Sequence, residues 1–200
     1  MSSGPPSPAD LAARLGPALL PPAEARELPV HGSKEAAVLV ALYETAGGLG
    51  TVLTRRREDL RRHAGEISFP GGRRDPGEPD LVTTALREAH EEVGLEPSDV
   101  RIAGALPPTP TIATGYAIHP FVGAIAPGGA WVPSEREVAE VLEVPLATLR
   151  EGFGRRRLVR RGIPFVTDTY ALGESLVWGA TARILSGLLG RLERAGLLAG

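Results

Sequence analysis

Glu88, Glu91 and Glu92 are the residues whose type and spacing could do chemistry in this chain. At about 100° per residue, a helix carries these three carboxylates on one arc roughly 100° wide. Side chains three and four positions apart reach the same small volume, where like charges repel by about 0.2–0.5 kcal/mol per pair. A hard divalent cation between them would offset that repulsion, because Mg²⁺ takes oxygen ligands and leaves room for waters and phosphate oxygens. Arg87 lies next to Glu88 and four residues before Glu91, so its planar fork can hold a carboxylate in place. The same pattern also suits a solvated acidic face with Arg87 in a weak surface pair. Just upstream, Phe69-Pro70-Gly71-Gly72 allows a tight turn and a close backbone approach to a ligand. The Gly72 carbonyl is a candidate further oxygen ligand.

A helix over Asp80 to Val93 has to position the carboxylates. Val82, Leu86, Ala89 and Val93 give it an apolar stripe, and Gly94 ends it. Strands are expected at Ala36 to Tyr43, Thr51 to Arg55, Ile67 to Phe69, Arg101 to Leu106 and Ile118 to Ile125. Glu135 to Leu142 and Leu146 to Leu149 read as short helical pieces, and Arg157 to Val166 as a hairpin. Glu174 to Leu198 reads as a long helix, and Asp10 to Leu20 as a short one capped by Ser7 or Asp10. The sum is an α/β unit: an N-terminal tail and short helix over residues 1–32, then a single domain over 33–200.

The chain has 200 residues, 42% of them apolar and 23% charged, which suits a globular domain with a real core. Its formal net charge of -2 argues against a protein that grips nucleic acid as its main task. The absence of cysteine excludes disulfide staples and thiolate chemistry. The first residues lack a basic start and an apolar run, and no apolar stretch reaches bilayer length. A cytoplasmic protein without a membrane partner is expected, and a homodimer is among the assemblies left open.

The spacing Gly72-x5-Glu78-x8-Arg87-Glu88-Ala89-His90-Glu91-Glu92-Val93-Gly94-Leu95 strongly resembles the signature box of Nudix hydrolases. It carries one extra residue between Glu78 and Arg87, a habit of the coenzyme A pyrophosphatase branch. Leu53-Thr54-x-Arg56, then Arg61, His63, Gly65, Glu66 and Phe69 to Gly72, resembles the additional motif of that branch. Arg57 stands where many members have Ser. Glu137-Val138 and Trp178-Gly179-Ala180-Thr181-Ala182 also look like this branch.

The resemblance implies a Nudix-type α/β/α sandwich with a central mixed sheet, and hydrolysis of a nucleoside diphosphate linked to another group. For this branch the implied substrate is coenzyme A or acyl-coenzyme A, giving 4′-phosphopantetheine and adenosine 3′,5′-bisphosphate. ADP-ribose or another nucleoside diphosphate derivative is the alternative. Mg²⁺ or Mn²⁺ is the implied cofactor, with Glu88, Glu91, Glu92 and Gly72 as ligands and Glu66 as a candidate second-site ligand. Arg87 becomes an orienting partner, and Glu78 is expected near the site. Glu137 is a candidate general base, although Glu135 and Glu140 flank it. Arg56 and Arg61 are the first choices for substrate contact. His63 could donate to a phosphate or order its loop, and Tyr116 could stack on adenine or pack the loop.

Overall fold

A computed structural model describes residues 4–60, 64–111, 114–160 and 162–198. The mixed sheet is organised around β1 (Lys34–Thr45), whose alternate residues feed two separate cores. β1 turns into β2 (Gly48–Arg56), and the two pair only at the hairpin end, from Leu42↔Thr51 to Thr45↔Gly48. Beyond it they diverge, and β3 (Ile67–Ser68) and β4 (Gly71–Arg73) fill the gap. β3 pairs with β2 through Thr54↔Ser68, while β4 pairs with β1 through Val38↔Gly71 and Ala37↔Gly72. The glycine turn is thereby held inside the sheet. A Cβ at Gly71 would run into the Ala37 carbonyl and Val38, so this insertion requires glycine.

On the other edge of β1, β7 (Tyr116–Ala124) runs parallel from Lys34↔Tyr116 to Leu42↔Ala124. β5 (Arg101–Ala105) and β6 (Thr109–Pro110) complete that side, antiparallel to β7. β2 has β8 (Val138–Pro145) along its outer edge. A second, antiparallel sheet is made by β9 (Phe153–Arg160), β10 (Ile163–Leu172) and β11 (Ser175–Val177).

Helices cover both faces. α1 (Pro8–Leu15) and α5 (Gly179–Arg194) bury Leu11, Leu15, Leu185 and Leu188 with Val40, Leu42, Leu53 and Phe69. Opposite, α2 (Pro22–Glu27) and α3 (Leu81–Val93) bury Ala25, Leu81, Ala85 and Ala89 with Ala37, Leu39 and Ala41. α4 (Leu146–Glu151) follows β8 directly and adds Leu146 and Leu149 to the first core. The expected sandwich about a mixed sheet is the observed one.

Several local expectations need correction. Glu135 to Leu142 is not helical: a turn at 135–137 leads into β8, because β2 would otherwise present an unpaired edge. The last helix starts at Gly179, since Ser175–Val177 is taken up as a third strand beside Tyr170–Leu172. The first helix is Pro8–Leu15, with the Ser7 hydroxyl accepting from the Asp10 amide at 3.2 Å. On α3, Ala89 and Val93 are buried as expected, but Leu81 and Ala85 join them in place of Val82 and Leu86, which are only partly buried. That shift brings Glu92 onto the buried side of the helix.

Candidate active site

α3 begins at Asp80, whose carboxylate accepts from the Thr83 amide at 2.8 Å, and stops at Gly94, left-handed at φ 73°. Between these caps the helix lies over β4 and β1, and its acidic residues fall into two groups. Glu92 is only 5% exposed. Its carboxylate accepts from the Gly71 amide at 3.2 Å and lies 3.6 Å from the Arg56 guanidinium. Burial nevertheless dominates and pushes its pKa up to about 7, with Glu88 and Glu137 adding repulsion. Glu88 sits beside Glu92 over the same turn. Burial also raises its pKa, against the pull of Arg87.

Gly72 is bound to this geometry sterically, because a Cβ there would fall onto the Glu88 carboxylate. Gly72→Ala should therefore displace Glu88 and lower turnover by roughly 100-fold, as a misplacement of about 1 Å can. Steady-state rates together with a thermal melt test this; a variant with unchanged turnover would show that the contact has no catalytic weight.

Arg87 organises the second group. Its Nε donates to Glu78 at 2.7 Å, and Nη1 donates to Glu91 at 3.0 Å. Nη2 donates to Glu88 at 3.0 Å and to the Arg73 carbonyl at 3.1 Å. Burial works to raise the Glu78 carboxyl, but Arg87, the Thr84 hydroxyl and the Asp75 amide outweigh it and bring it below its ordinary range. Glu91 is the most exposed of the helix acids and leans on Arg87.

Glu137 reaches the same place from another element. The Ser134 amide donates to the Glu92 carbonyl at 2.9 Å, and the Ser134 carbonyl accepts from the Glu137 amide at 3.1 Å. The turn at the head of β8 is thus anchored on α3. Arg56 Nη2 then donates to the Glu137 carboxylate at 3.0 Å, so one guanidinium spans Glu92 and Glu137. Beside this turn an open cleft of about 710 Å³ is lined by Arg57, Asp59, Glu135 and Val138, among others.

The structure brings Glu88, Glu92, Gly72, Arg87, Arg56 and Glu137 to one place, with Glu91 at its rim. Glu66 is partly buried, and its carbonyl accepts from the Arg56 amide at 3.0 Å. Tyr116 lies at the start of β7, with the Lys34 ammonium 5.4 Å from its ring centroid. Arg61 and His63 lie outside the described residues. Sequence reasoning missed Arg74 as a structural link: it donates to Glu35 at 2.9 Å and to the Glu78 carbonyl at 2.9 Å. The signal available was an acidic residue at the start of an otherwise apolar strand.

Among the described residues, no three acidic or imidazole groups close into a ready-made cation cage. Arg87 draws Glu88 and Glu91 towards itself, and Glu92 faces the Gly71 amide. The donor set nevertheless fits a hard divalent cation. It consists of oxygens, and Glu88 and Glu92 share a poorly solvated space that raises both pKa values. A cation there would relieve that strain.

A mixed-sheet sandwich with a carboxylate-bearing helix laid over a glycine turn defines a class of hydrolase. The NUDIX domain model matches residues 33–162. An uncharacterized Nudix hydrolase NudL from Pectobacterium atrosepticum is 40% identical over 164 residues, covering 78% of this chain and 82% of the relative. The Citrobacter koseri NudL is 38% identical over 163 residues, covering 76% and 79% respectively. The chain belongs to the Nudix hydrolase family. A MutT/nudix family protein from Enterococcus faecalis shares the fold, with a TM-score of 0.56 at 15% identity over 86% of this chain and 67% of that one. The activity that accompanies this membership is Nudix-type hydrolysis of a nucleoside diphosphate derivative, and the family is generally metal-dependent. Among the described residues, no helix is long and apolar enough to cross a membrane.

Proposed function

We propose that this protein is a pyrophosphohydrolase dependent on Mg²⁺ or Mn²⁺ that cleaves the diphosphate bond of coenzyme A or acyl-coenzyme A. The observation that carries the hydrolase chemistry is the buried Glu92 carboxylate beside Glu88 over Gly71 and Gly72. The substrate assignment rests on the likeness of the run from Leu53 to Gly72 to the coenzyme A branch. Glu88, Glu92 and the Gly72 carbonyl would hold the cation, with Glu91 at the rim and Glu66 as the candidate ligand of a second one. When bound, the cation neutralises phosphate charge and acidifies water.

The chain's own groups supply the remainder. Arg87 keeps Glu88 and Glu91 in register with Glu78, and Arg56 keeps Glu137 turned towards Glu92. Glu137 is partly exposed at the mouth of the site, where a carboxylate can take a proton from attacking water. Arg61 and His63 are the further phosphate contacts in this reading.

A second reading is hydrolysis of ADP-ribose or another nucleoside diphosphate derivative. Membership of the Nudix family supports it directly, and the carboxylate geometry serves any substrate of this class equally. Product analysis after incubation with coenzyme A, dephospho-coenzyme A and ADP-ribose separates the two readings. Release of adenosine 3′,5′-bisphosphate at the highest kcat/KM is the expected result. Faster cleavage of ADP-ribose than of either coenzyme would transfer the assignment to the second reading.

A further inference from the structure

Glu35, near the start of β1, is joined to the carboxylates of α3 by hydrogen bonds that pass through two arginines. The register of β4 on β1 explains how. Ala37 pairs with Gly72 and Ala36 with Arg73, and the next step brings the Arg74 amide to the Glu35 carbonyl at 3.2 Å. Alternate residues of a strand share a face. Arg74 therefore projects on the side where a Cβ at Gly72 would meet Glu88. Glu35 stands opposite it on that same side, forming a cross-strand pair of opposite charge.

Arg74 divides its guanidinium between two partners. Nη1 donates to the Glu35 carboxylate at 2.9 Å, and Nη2 donates to the Glu78 carbonyl at 2.9 Å. Arg87 holds the other end of the same residue, its Nε donating to the Glu78 carboxylate at 2.7 Å. Two planar forks thus converge on Glu78, one on its backbone and one on its side chain. From there the Arg87 fork reaches Glu88 and Glu91, both at 3.0 Å. The Arg74 contact is also the leading reason why the Glu35 carboxyl titrates below its ordinary range. Arg26 of α2 donates to the other Glu35 oxygen at 3.3 Å, sharing the charge of this corner without being a link in the run.

We propose that Glu35 is a positioning residue for the hydrolytic carboxylates. It fixes Arg74, Arg74 holds the Glu78 backbone, and Glu78 sets the Arg87 fork that spaces Glu88 and Glu91. The inference rests on the reading of Glu88 and Glu91 as groups that serve the cation. The side chains of Arg74 and Glu35 are 28% and 39% exposed, and ion pairs so open to water contribute little to stability. Loss of Glu35 should therefore be felt in the placement of the carboxylates and hardly in the melting temperature.

Three measurements test it: kcat and KM on whichever of coenzyme A and ADP-ribose the wild type cleaves faster, thermal melts, and hydrogen exchange at the Arg87 Nε–H in the metal-free protein. Glu35→Ala should lower kcat by roughly 10-fold, with KM within about twofold, as a small misplacement of reacting groups does. Its melting midpoint should stay within about 3 °C of wild type. Glu35→Gln keeps an acceptor for Arg74 and should recover most of the kcat, while Arg26→Gln should leave kcat within about twofold. In an Arg87→Lys background, Glu35→Ala should cost less than about twofold, because the link through which it acts is already broken. An unchanged kcat in Glu35→Ala, the same loss in both backgrounds, an equal loss in Arg26→Gln, or Gln as poor as Ala would overturn the proposal. If the wild type cleaves neither compound, both substrate readings fail by themselves and the Arg87 Nε–H decides. Exchange at least about 10-fold faster in Glu35→Ala than in wild type supports the relay, and equal rates remove it.

Discussion

Glu92→Gln should lower turnover by about 1,000-fold or more, as loss of a group central to charge stabilisation does, while making the metal-free fold more stable at pH 8. The two effects share one cause. Glu92 is 5% exposed, and burial raises its pKa to about 7. The unfolded chain releases this proton near pH 4.5, so between about pH 4.5 and 7 the native state binds a proton that the unfolded state does not. Stability therefore falls as pH rises through that window, and the full cost is present above pH 7. A shift of that size corresponds to about 3 kcal/mol. Gln has the shape of Glu without the charge, so in chelator the variant should melt roughly 5–10 °C above wild type at pH 8. At pH 4 the two should melt together. Mg²⁺ or Mn²⁺ should raise the wild-type midpoint at pH 8 and the variant's much less. Near-normal turnover, or a variant less stable than wild type at pH 8 without metal, would remove Glu92 from the centre of the site.

The burial that drives this prediction was the part of the site least visible in the sequence. The helix, its caps and its acidic residues were all legible, because Asp80, Gly94 and the periodic apolar residues are local signals. The phase of the helix was not. Val82 and Leu86 make as good a stripe with Ala89 and Val93 as Leu81 and Ala85 do, and only packing on Ala37, Leu39 and Ala41 selects the latter pair. That turn of the helix takes Glu92 from the edge of an acidic face into a desolvated group. β8 failed for a related reason. Glu135 to Leu142 has a helical look locally, yet the outer edge of β2 along Gly50 to Arg56 has no partner without it. The consequence is functional, since a strand beginning at Val138 is what sets Glu137 against Arg56. The box motif thus announced which residues matter, and long-range pairing determined which of them meet.

Arg87 carries the second large expectation. Its guanidinium satisfies Glu78, Glu88, Glu91 and the Arg73 carbonyl at once, at 2.7, 3.0, 3.0 and 3.1 Å. The Glu78 side chain is 10% exposed, so removing its partner leaves a nearly buried carboxylate with only Thr84 and the Asp75 amide. Arg87→Ala should therefore cost about 3 kcal/mol of stability, in the range for breaking a buried pair, and lower the melting temperature by roughly 5–10 °C. Turnover should fall more than the folded fraction does, because Glu88 and Glu91 lose the fork that sets their spacing. Lysine separates charge from geometry: it restores a cation near Glu78 but cannot reach three carboxylates from one plane. Arg87→Lys should thus regain most of the stability and little of the kcat, with KM changed far less than kcat. Melting curves and kcat measured on the same three proteins provide the comparison. If Lys restores kcat in proportion to stability, Arg87 is a structural counter-charge alone, and the spacing of Glu88 and Glu91 is set by the helix without it.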